Sequence, residues 1–581
     1  MFLYRPIETI PLEQSHVRDA LYDAFCYTNI SNAFYQDKPI KSLYELPNNE
    51  EVITLCPSPY DRNCLIKTKV RRDDDQFTIQ LEGCKFTTKI QLTESEEVLL
   101  VTKTVEGIIY ITFRRFVFVL WNEEKKNVVY DFPLNTIFDV GYSNGLLVVT
   151  PNPFYQADLP NSLNIPMAPN DSESVVTTIK KRCLECGIIN RPDKGLFYRQ
   201  DKTRVERKSV IEYDTNLFKE YSNPRFQFCE TYPEVFVVPK DASDDVILQC
   251  ANFRSKKRLP ICMYEDNLTH TSLFRSAQPL VANSNYYIGV FVESASKEDQ
   301  TYLNCIRTVG KSEESTLVIL DCRSRVNANA NRVNGGGYEN TNTYTKTDLQ
   351  FLNIPNIHEV RNTFANMRNA LRDRKTLTPT QYFSKISGWL ELLSSLLVCV
   401  KMAVGLIRSE VNVLVHCSDG WDRTAQMSAL TRLVLEKKTR TIKGFFDLIY
   451  QEWILAGHKF MTRLHTKTSE NSPVFLQFLE VVVTLVKHRP SAFQFNEDFL
   501  IKLAAEAVCP KTVTFLFDCE YDRFLACSRD YEDFFTVEEK NWEEIDCEKL
   551  KDVDLDISCN EFQVWETFYL RKIDCIVIEQ D

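Results

Sequence analysis

Glycine is scarce in this chain: there are 16 in 581 residues, where average usage of about 7% would give about 40. Collagen-like and glycine-linker architectures are therefore excluded. A secretory signal is not expected either: Met1-Phe2-Leu3-Tyr4-Arg5-Pro6 has no basic segment followed by a long apolar core. The 19 cysteines, odd in number and without a framework spacing, are thus expected to be reduced thiols. Paired metal motifs are missing: Cys183-x-x-Cys186 stands alone, with no second such pair and no nearby histidine, so no metal and no cofactor is expected. No apolar run is free of charge over the length of a bilayer. The best candidate, Leu390 to Ile407, contains Glu391 and Lys401 and reads as a buried core helix. Finally, positive charge is not in excess. The formal net charge is −11, so no nucleic-acid partner is expected.

The acidity is local. Between Asp518 and Asp581 there are 20 acidic and 7 basic residues, while the rest of the chain carries 60 and 62. With 44% hydrophobic and 26% charged residues, the composition is that of a globular protein, and the length suits several domains.

Residues 50–150 read as β-rich. Short apolar runs such as Val52–Leu55, Phe77–Leu81, Val98–Val101, Gly107–Phe113, Phe116–Trp121 and Gly145–Thr150 follow one another at the spacing of an antiparallel meander. The prolines at 151, 153, 160, 166 and 169 then suggest a linker over 151–195. Beyond it, strand-like Val235–Val238, Leu317–Leu320 and Val413–Val415 alternate with helical stretches at 359–372, 384–407, 424–437, 442–456, 474–488 and 495–507. That alternation predicts an α/β domain over 196–520 with a parallel or mixed central sheet flanked by helices. An acidic extension, 521–581, follows.

The segment that carries chemistry is Val413-Leu414-Val415-His416-Cys417-Ser418-Asp419-Gly420-Trp421-Asp422-Arg423-Thr424. An apolar strand runs into a tight loop, and a helix follows with Met427, Leu430 and Val434 on one face. Cys56 to Arg62 repeats the Cys-x5-Arg spacing, but Pro57 and Pro59 remove two backbone donors and no amphipathic helix follows. The 417–423 loop keeps every N–H and ends at a helix N-terminus, which makes a concave anion site. Arg423 suits a bidentate grip on phosphate. A cysteine in that field has an expected pKa of about 3.5–7.5, and its thiolate can attack phosphorus to form a phosphocysteine. Asp422 reads either as the acid that protonates the leaving alcohol or as a helix cap. Asp419 suits substrate hydroxyls or basic loop groups. His416 reads as an orienting group or a plain buried histidine, and Trp421 as a packing residue or the cover of a sugar-like ring.

His416 through Thr424 resembles the active-site signature of the myotubularin-type phosphatases. Other segments resemble that family in the same order: Phe253-Arg254-Ser255 with Arg258, Gln278-Pro279-Leu280-Val281, Val326 to Asn331, Gly335 to Glu339, Asn356-Ile357-His358, Glu452-Trp453, Gly457-His458-Lys459-Phe460 and Ser472 to Phe478. The likeness covers roughly residues 220–520. It implies a 3-phosphatase acting on phosphatidylinositol 3-phosphate and phosphatidylinositol 3,5-bisphosphate. Cys417 would be the nucleophile, Arg423 the phosphate clamp and Asp422 the acid. Substrate contacts would come from Asn331, Asn356, Ile357, Ser418, Asp419, Gly420, Trp421 and Arg463. Lys459 would sit near the 5-phosphate, where some members have arginine; it keeps the charge but lacks the fork. The loop from Leu464 to Asn471 looks shorter than in many members. The resemblance also implies a PH-GRAM-like β domain over 1–150, and an oligomer with itself or with related phosphatases. It further implies phosphoinositide lipids on the cytosolic surface of endosomal membranes as partner, with the protein cytoplasmic and peripheral there. No FYVE-type cysteine spacing closes the chain. Two other readings are a tyrosine or dual-specificity protein phosphatase and a catalytically silent lipid-binding adaptor.

Overall fold

The computed structural model describes residues 51–57, 65–73, 76–83, 86–92, 98–104, 106–112, 115–120, 128–180, 211–280, 296–332, 335–510, 512–526, 534–539 and 541–571. The chain divides into two compact units, Met1–Tyr198 with Tyr569–Asp581, and Arg199–Phe568. The lone CxxC and the loop of the Cys56–Arg62 repeat lie outside the described residues.

The first unit is β-rich, as the sequence pattern suggests. β1 (Glu51–Pro57), β2 (Leu65–Asp73), β3 (Gln76–Gly83) and β4 (Phe86–Leu92) pair antiparallel in chain order. β5 (Val98–Lys103), β6 (Gly107–Thr112), β7 (Arg115–Leu120) and β8 (Val128–Pro133) form a second antiparallel meander. β9 (Ile137–Ser143), β10 (Leu146–Pro151) and β11 (Leu163–Pro166) make a third sheet.

The proline-rich stretch corrects the expectation of a linker over 151–195. β11 pairs with β10, and α1 (Pro169–Ile179) buries Ser172, Val175 and Ile179. The prolines stand where a missing N–H costs little, Pro166 at a strand end and Pro169 in the first helical turn. They mark element ends inside a folded unit. Residues 181–195 are outside the described set.

The second unit is built on a mixed five-stranded sheet of β14 (Ile261–Glu265), β15 (Ser272–Ser276), β18 (Val413–His416), β16 (Leu317–Asp321) and β17 (Thr347–Phe351), in that spatial order. Only the β14–β15 pair is antiparallel; β15, β18, β16 and β17 run parallel. The four strands other than β17 are buried at every position, as expected where both faces are covered. A separate hairpin, β12 (Phe218–Ser222) with β13 (Val235–Pro239), packs into the same core through Phe218, Phe236 and Val238.

The helices follow the apolar period. After α2 (Asp244–Asn252), α3 (Lys297–Thr308) and α4 (Arg325–Arg332) comes α5 (Ile357–Arg372), capped by Asn356, whose Oδ1 accepts the N–H groups of His358 and Glu359. α6 (Pro379–Arg408) opens with a Thr378–Gln381 capping box and Pro379 in its first turn. It is long and apolar enough to cross a membrane, with half of its apolar window buried. Trp389, Leu393, Leu396 and Val400 face inward, and Val398 and Met402 face out. α7 (Arg423–Leu435), α8 (Ile442–Ile449), α9 (Val474–His488) and α10 (Glu497–Val508) complete the layer. The expected single helix 442–456 instead ends at Ile449 and continues as a π-helical turn, Tyr450–Leu455; a second such turn spans Met461–His465.

The acidic C-terminal residues are not an appendage up to Phe568. Trp565 is buried, stacks on Phe568 at 4.7 Å and donates its indole N–H to Glu497 at 3.0 Å.

Candidate active site

β18 ends at His416 and α7 begins at Arg423, so residues 417–422 turn over the carboxyl end of the parallel strands. Open α/β sheets hold ligands at that end. Gly420 has φ +79°, and an added Cβ would lie 2.5 Å from the Ser276 carbonyl oxygen, so glycine alone fits without strain. The Gly420 N–H points to Cys417 Sγ at 3.3 Å, closing the loop around a nearly buried thiol.

The back of the loop is held by charge. Arg258 and Arg275, both buried, each donate to the Gly420 carbonyl, at 3.2 and 2.7 Å. Arg258 also donates to the carbonyls of Ala456 and Thr231, both at 2.7 Å. Arg275 pairs with Glu452 at 2.7 Å, and the other Glu452 oxygen accepts from Ser428 and Arg432. His416 Nε2 faces Glu339 at 3.0 Å, while Nδ1 donates to the Cys417 carbonyl at 3.1 Å. Burial opposes charge on this ring, but Glu339 and Asp321 beside it raise its pKa. Burial likewise disfavours the Glu339 carboxylate, yet His416 and Arg254 hold it well below the usual range. With one ring nitrogen on Glu339 and the other on the Cys417 carbonyl, His416 is tied to the backbone of the thiol, which suits an orienting role better than a plain core histidine.

The rim brings most of the expected contact residues together. Asn331, on α4, donates to Ser418 Oγ at 2.9 Å. Ser255 donates to Asp419 at 2.7 Å, so one Asp419 oxygen faces a protein hydroxyl. Trp421 is buried under Lys459, whose Nζ lies 4.4 Å from the ring centroid, and near Arg258 at 5.7 Å. Arg423 reaches the Ile354 carbonyl at 3.3 Å. Asn356 and Ile357 enter indirectly: Asn356 caps α5, and the Ile357 carbonyl accepts from Ser472, whose N–H bonds to Arg463.

Asp422 makes no side-chain cap to α7. Arg463 grips its two oxygens at 3.0 and 2.8 Å, and His458 Nδ1 lies 3.3 Å away. Burial would raise this carboxyl, but Arg463 and His458 more than offset it and hold the group well below the usual carboxylate range. Arg463 also touches the Glu470 carboxylate at 3.3 Å.

Sequence reasoning gave no role to Ser255, Arg258, Arg275, Glu339 or His458. All but Arg275 stand in the segments that carry the family likeness. Among the described residues one trio is suited to a metal, Asp214, Glu265 and His270. Both Glu265 oxygens there already have protein partners, His270 Nδ1 at 3.0 Å and the Asp214 N–H at 2.6 Å.

Comparison with known proteins places the Cys417–Arg423 loop inside a known family domain. The family model described as the myotubularin-like phosphatase domain matches residues 190–524. The chain is 37% identical to rat (Rattus norvegicus) myotubularin over 311 residues, 52% of this chain and 50% of that protein. It is 38% identical over 314 residues to phosphatidylinositol-3,5-bisphosphate 3-phosphatase MTMR3 of Caenorhabditis elegans, covering 52% of this chain and 30% of the relative. Against the mouse (Mus musculus) phosphatidylinositol-3,5-bisphosphate 3-phosphatase MTMR6 the identity is 37% over 308 residues, 52% of this chain and 48% of that one. The chain thus spans about half the length of the myotubularin and MTMR6 relatives it matches, and less of MTMR3. Since the matched domain occupies more than half of its residues and contains the whole Cys417–Arg423 loop, this chain belongs to the myotubularin-like phosphatase family.

Proposed function

We propose that the chain is a phosphoinositide 3-phosphatase that works through a phosphocysteine intermediate on phosphatidylinositol 3-phosphate and phosphatidylinositol 3,5-bisphosphate. The observation that carries this reading is the Cys417–Arg423 loop, closed on its own thiol and backed by Arg258 and Arg275. Cys417 attacks phosphorus, Arg423 clamps two phosphate oxygens, and the inositol hydroxyl leaves; water then cleaves the S–P bond. Asn331, Asn356, Ile357, Ser418, Asp419 and Trp421 frame the headgroup. Lys459 and Arg463 offer charge to a second phosphate.

Asp422 is the acid in this scheme. A carboxylate gripped by Arg463 has no proton to give, so transfer of Arg463 onto a substrate phosphate is the step that lets Asp422 take one up. The β-rich first unit is assigned to membrane attachment as a PH-GRAM-like domain, and the protein to the cytosolic face of endosomal membranes, with itself or related phosphatases as oligomeric partner.

The test is phosphate release from phosphatidylinositol 3-phosphate beside a phosphotyrosine peptide, for wild type and Cys417→Ser. Lipid-selective turnover lost in the variant, with folding intact, is the expected outcome. Turnover that survives Cys417→Ser removes the thiol as nucleophile, and preference for the peptide removes the lipid.

A further inference from the structure

A second cysteine stands beside the nucleophile, just past the end of the neighbouring strand. β16 and β18 run parallel with Asp321 opposite His416, and the Cys322 N–H donates to the His416 carbonyl at 2.8 Å. Cys322 and Cys417 are therefore the next residues of two neighbouring parallel strands. In such a pair partners project to the same face, the chains lie about 4.8 Å apart, and a disulfide needs Cα atoms about 4.4–6.8 Å apart. Both thiols are buried, and neither is in a disulfide. We infer that Cys322 is a resolving thiol for Cys417, so that a hydroperoxide converts the pair to a Cys322–Cys417 disulfide and not to over-oxidised cysteine.

The chemistry balances. The Cys417 thiolate attacks one peroxide oxygen; the S–O bond forms, the O–O bond breaks, and hydroxide leaves, giving the sulfenic acid. Cys322 sulfur then attacks the Cys417 sulfur; the S–S bond forms, the S–O bond breaks, and hydroxide departs with the Cys322 proton as water. Two electrons pass from the thiols to the peroxide, and a dithiol returns them. Burial, and then the charge of Cys417, push the Cys322 thiol well up, while Arg423 pulls it down. A link between adjacent strands is a constrained one, and constrained disulfides are the readily reduced class.

The inference rests on Cys417 being reactive, so it is read by mass spectrometry, which does not depend on turnover. The reduced full chain is exposed to hydrogen peroxide, its remaining thiols are alkylated, and the digest is searched for cross-linked peptides. The expected result is a Cys322–Cys417 link in wild type and in Cys399→Ala, absent from Cys322→Ala and Cys322→Ser, with Cys417 sulfinate accumulating in those two. Phosphate release restored by dithiothreitol should be about tenfold lower in the Cys322 variants than in wild type, because sulfinate is not reduced by thiols. A Cys417 that stays reduced, goes to sulfinate without a link, or joins Cys399 overturns the inference, as does full recovery of the Cys322 variants. A link found in protein that releases no phosphate from lipid upholds the thiol pair and removes the phosphatase reading instead.

Discussion

Replacing Arg463 by methionine should expose how the site holds its carboxylate. Asp422 is buried, and Arg463 supplies both of its close charged contacts, at 3.0 and 2.8 Å; what remains is His458 at 3.3 Å. Removing one member of a buried ion pair costs about 3–5 kcal/mol, because the other charge is left without its partner. The contact of Arg463 with half-exposed Glu470 adds at most about 1 kcal/mol. At about 2 °C per kcal/mol for a large domain, Tm should fall by roughly 6–10 °C at pH 7. The sign of the pH effect follows from the same contacts. In wild type Arg463 lowers the Asp422 pKa, so its stabilisation is present above the unfolded carboxyl pKa and fades as pH falls through the folded one. Without Arg463 only His458 is left to oppose burial, so the Asp422 pKa moves up, and the deficit should shrink as pH falls from 7 towards 5. Thermal and urea unfolding of wild type, Arg463→Met, Asp422→Asn and the double variant at both pH values measure this. A double variant as unstable as Arg463→Met, or a deficit independent of pH, would refute the reasoning.

Gly420→Ala should lower phosphate release by about two orders of magnitude, the scale of losing an oriented donor. Its Cβ would meet the Ser276 carbonyl at a positive φ, and kinetics with a parallel melt separate this from unfolding. His465 is buried, with Nε2 on the Phe515 carbonyl and a pKa pushed down to about 4 by burial. Its neutral form is the one that fits, so stability is complete above about pH 6.5 and declines towards pH 4, by roughly 3 kcal/mol in all; His465→Leu should flatten that decline in urea titrations. Trp565→Ala should cost about 3–5 kcal/mol, seen as a lower Tm, because the ring is packed on Phe568 within the second unit.

Elements with a strong local period were legible. The strand into Val415, the glycine-bearing loop and the helix from Arg423 all stand where the pattern puts them, and the apolar runs of β16 and β18 announce strands covered on both faces. Prolines misled, because the same residue ends a strand at Pro166 and starts a helix at Pro169 as readily as it marks a linker. The π turn after Ile449 was invisible, since one extra residue per turn barely disturbs an apolar run. At the site, the loop's own residues were readable and its support was not. Arg275 lies 145 residues from Gly420 and Glu339 77 from His416, and no local pattern links such partners. Nor does spacing tell that Asp422 neither caps α7 nor stands free, since Arg463 reaches it from a turn 41 residues on.

The two guanidiniums behind Gly420 fix more than a position. Among the described residues the peptide bonds are trans, so a carbonyl and the next N–H point in opposite directions across one rigid plane. Holding the Gly420 oxygen from behind therefore aims the Trp421 N–H the other way, before any anion arrives. On the proposed function, a phosphate entering the loop would find this dipole already turned, with no binding free energy spent on rotating it. The reorganisation was completed once, during folding, by arginines that need never touch the substrate.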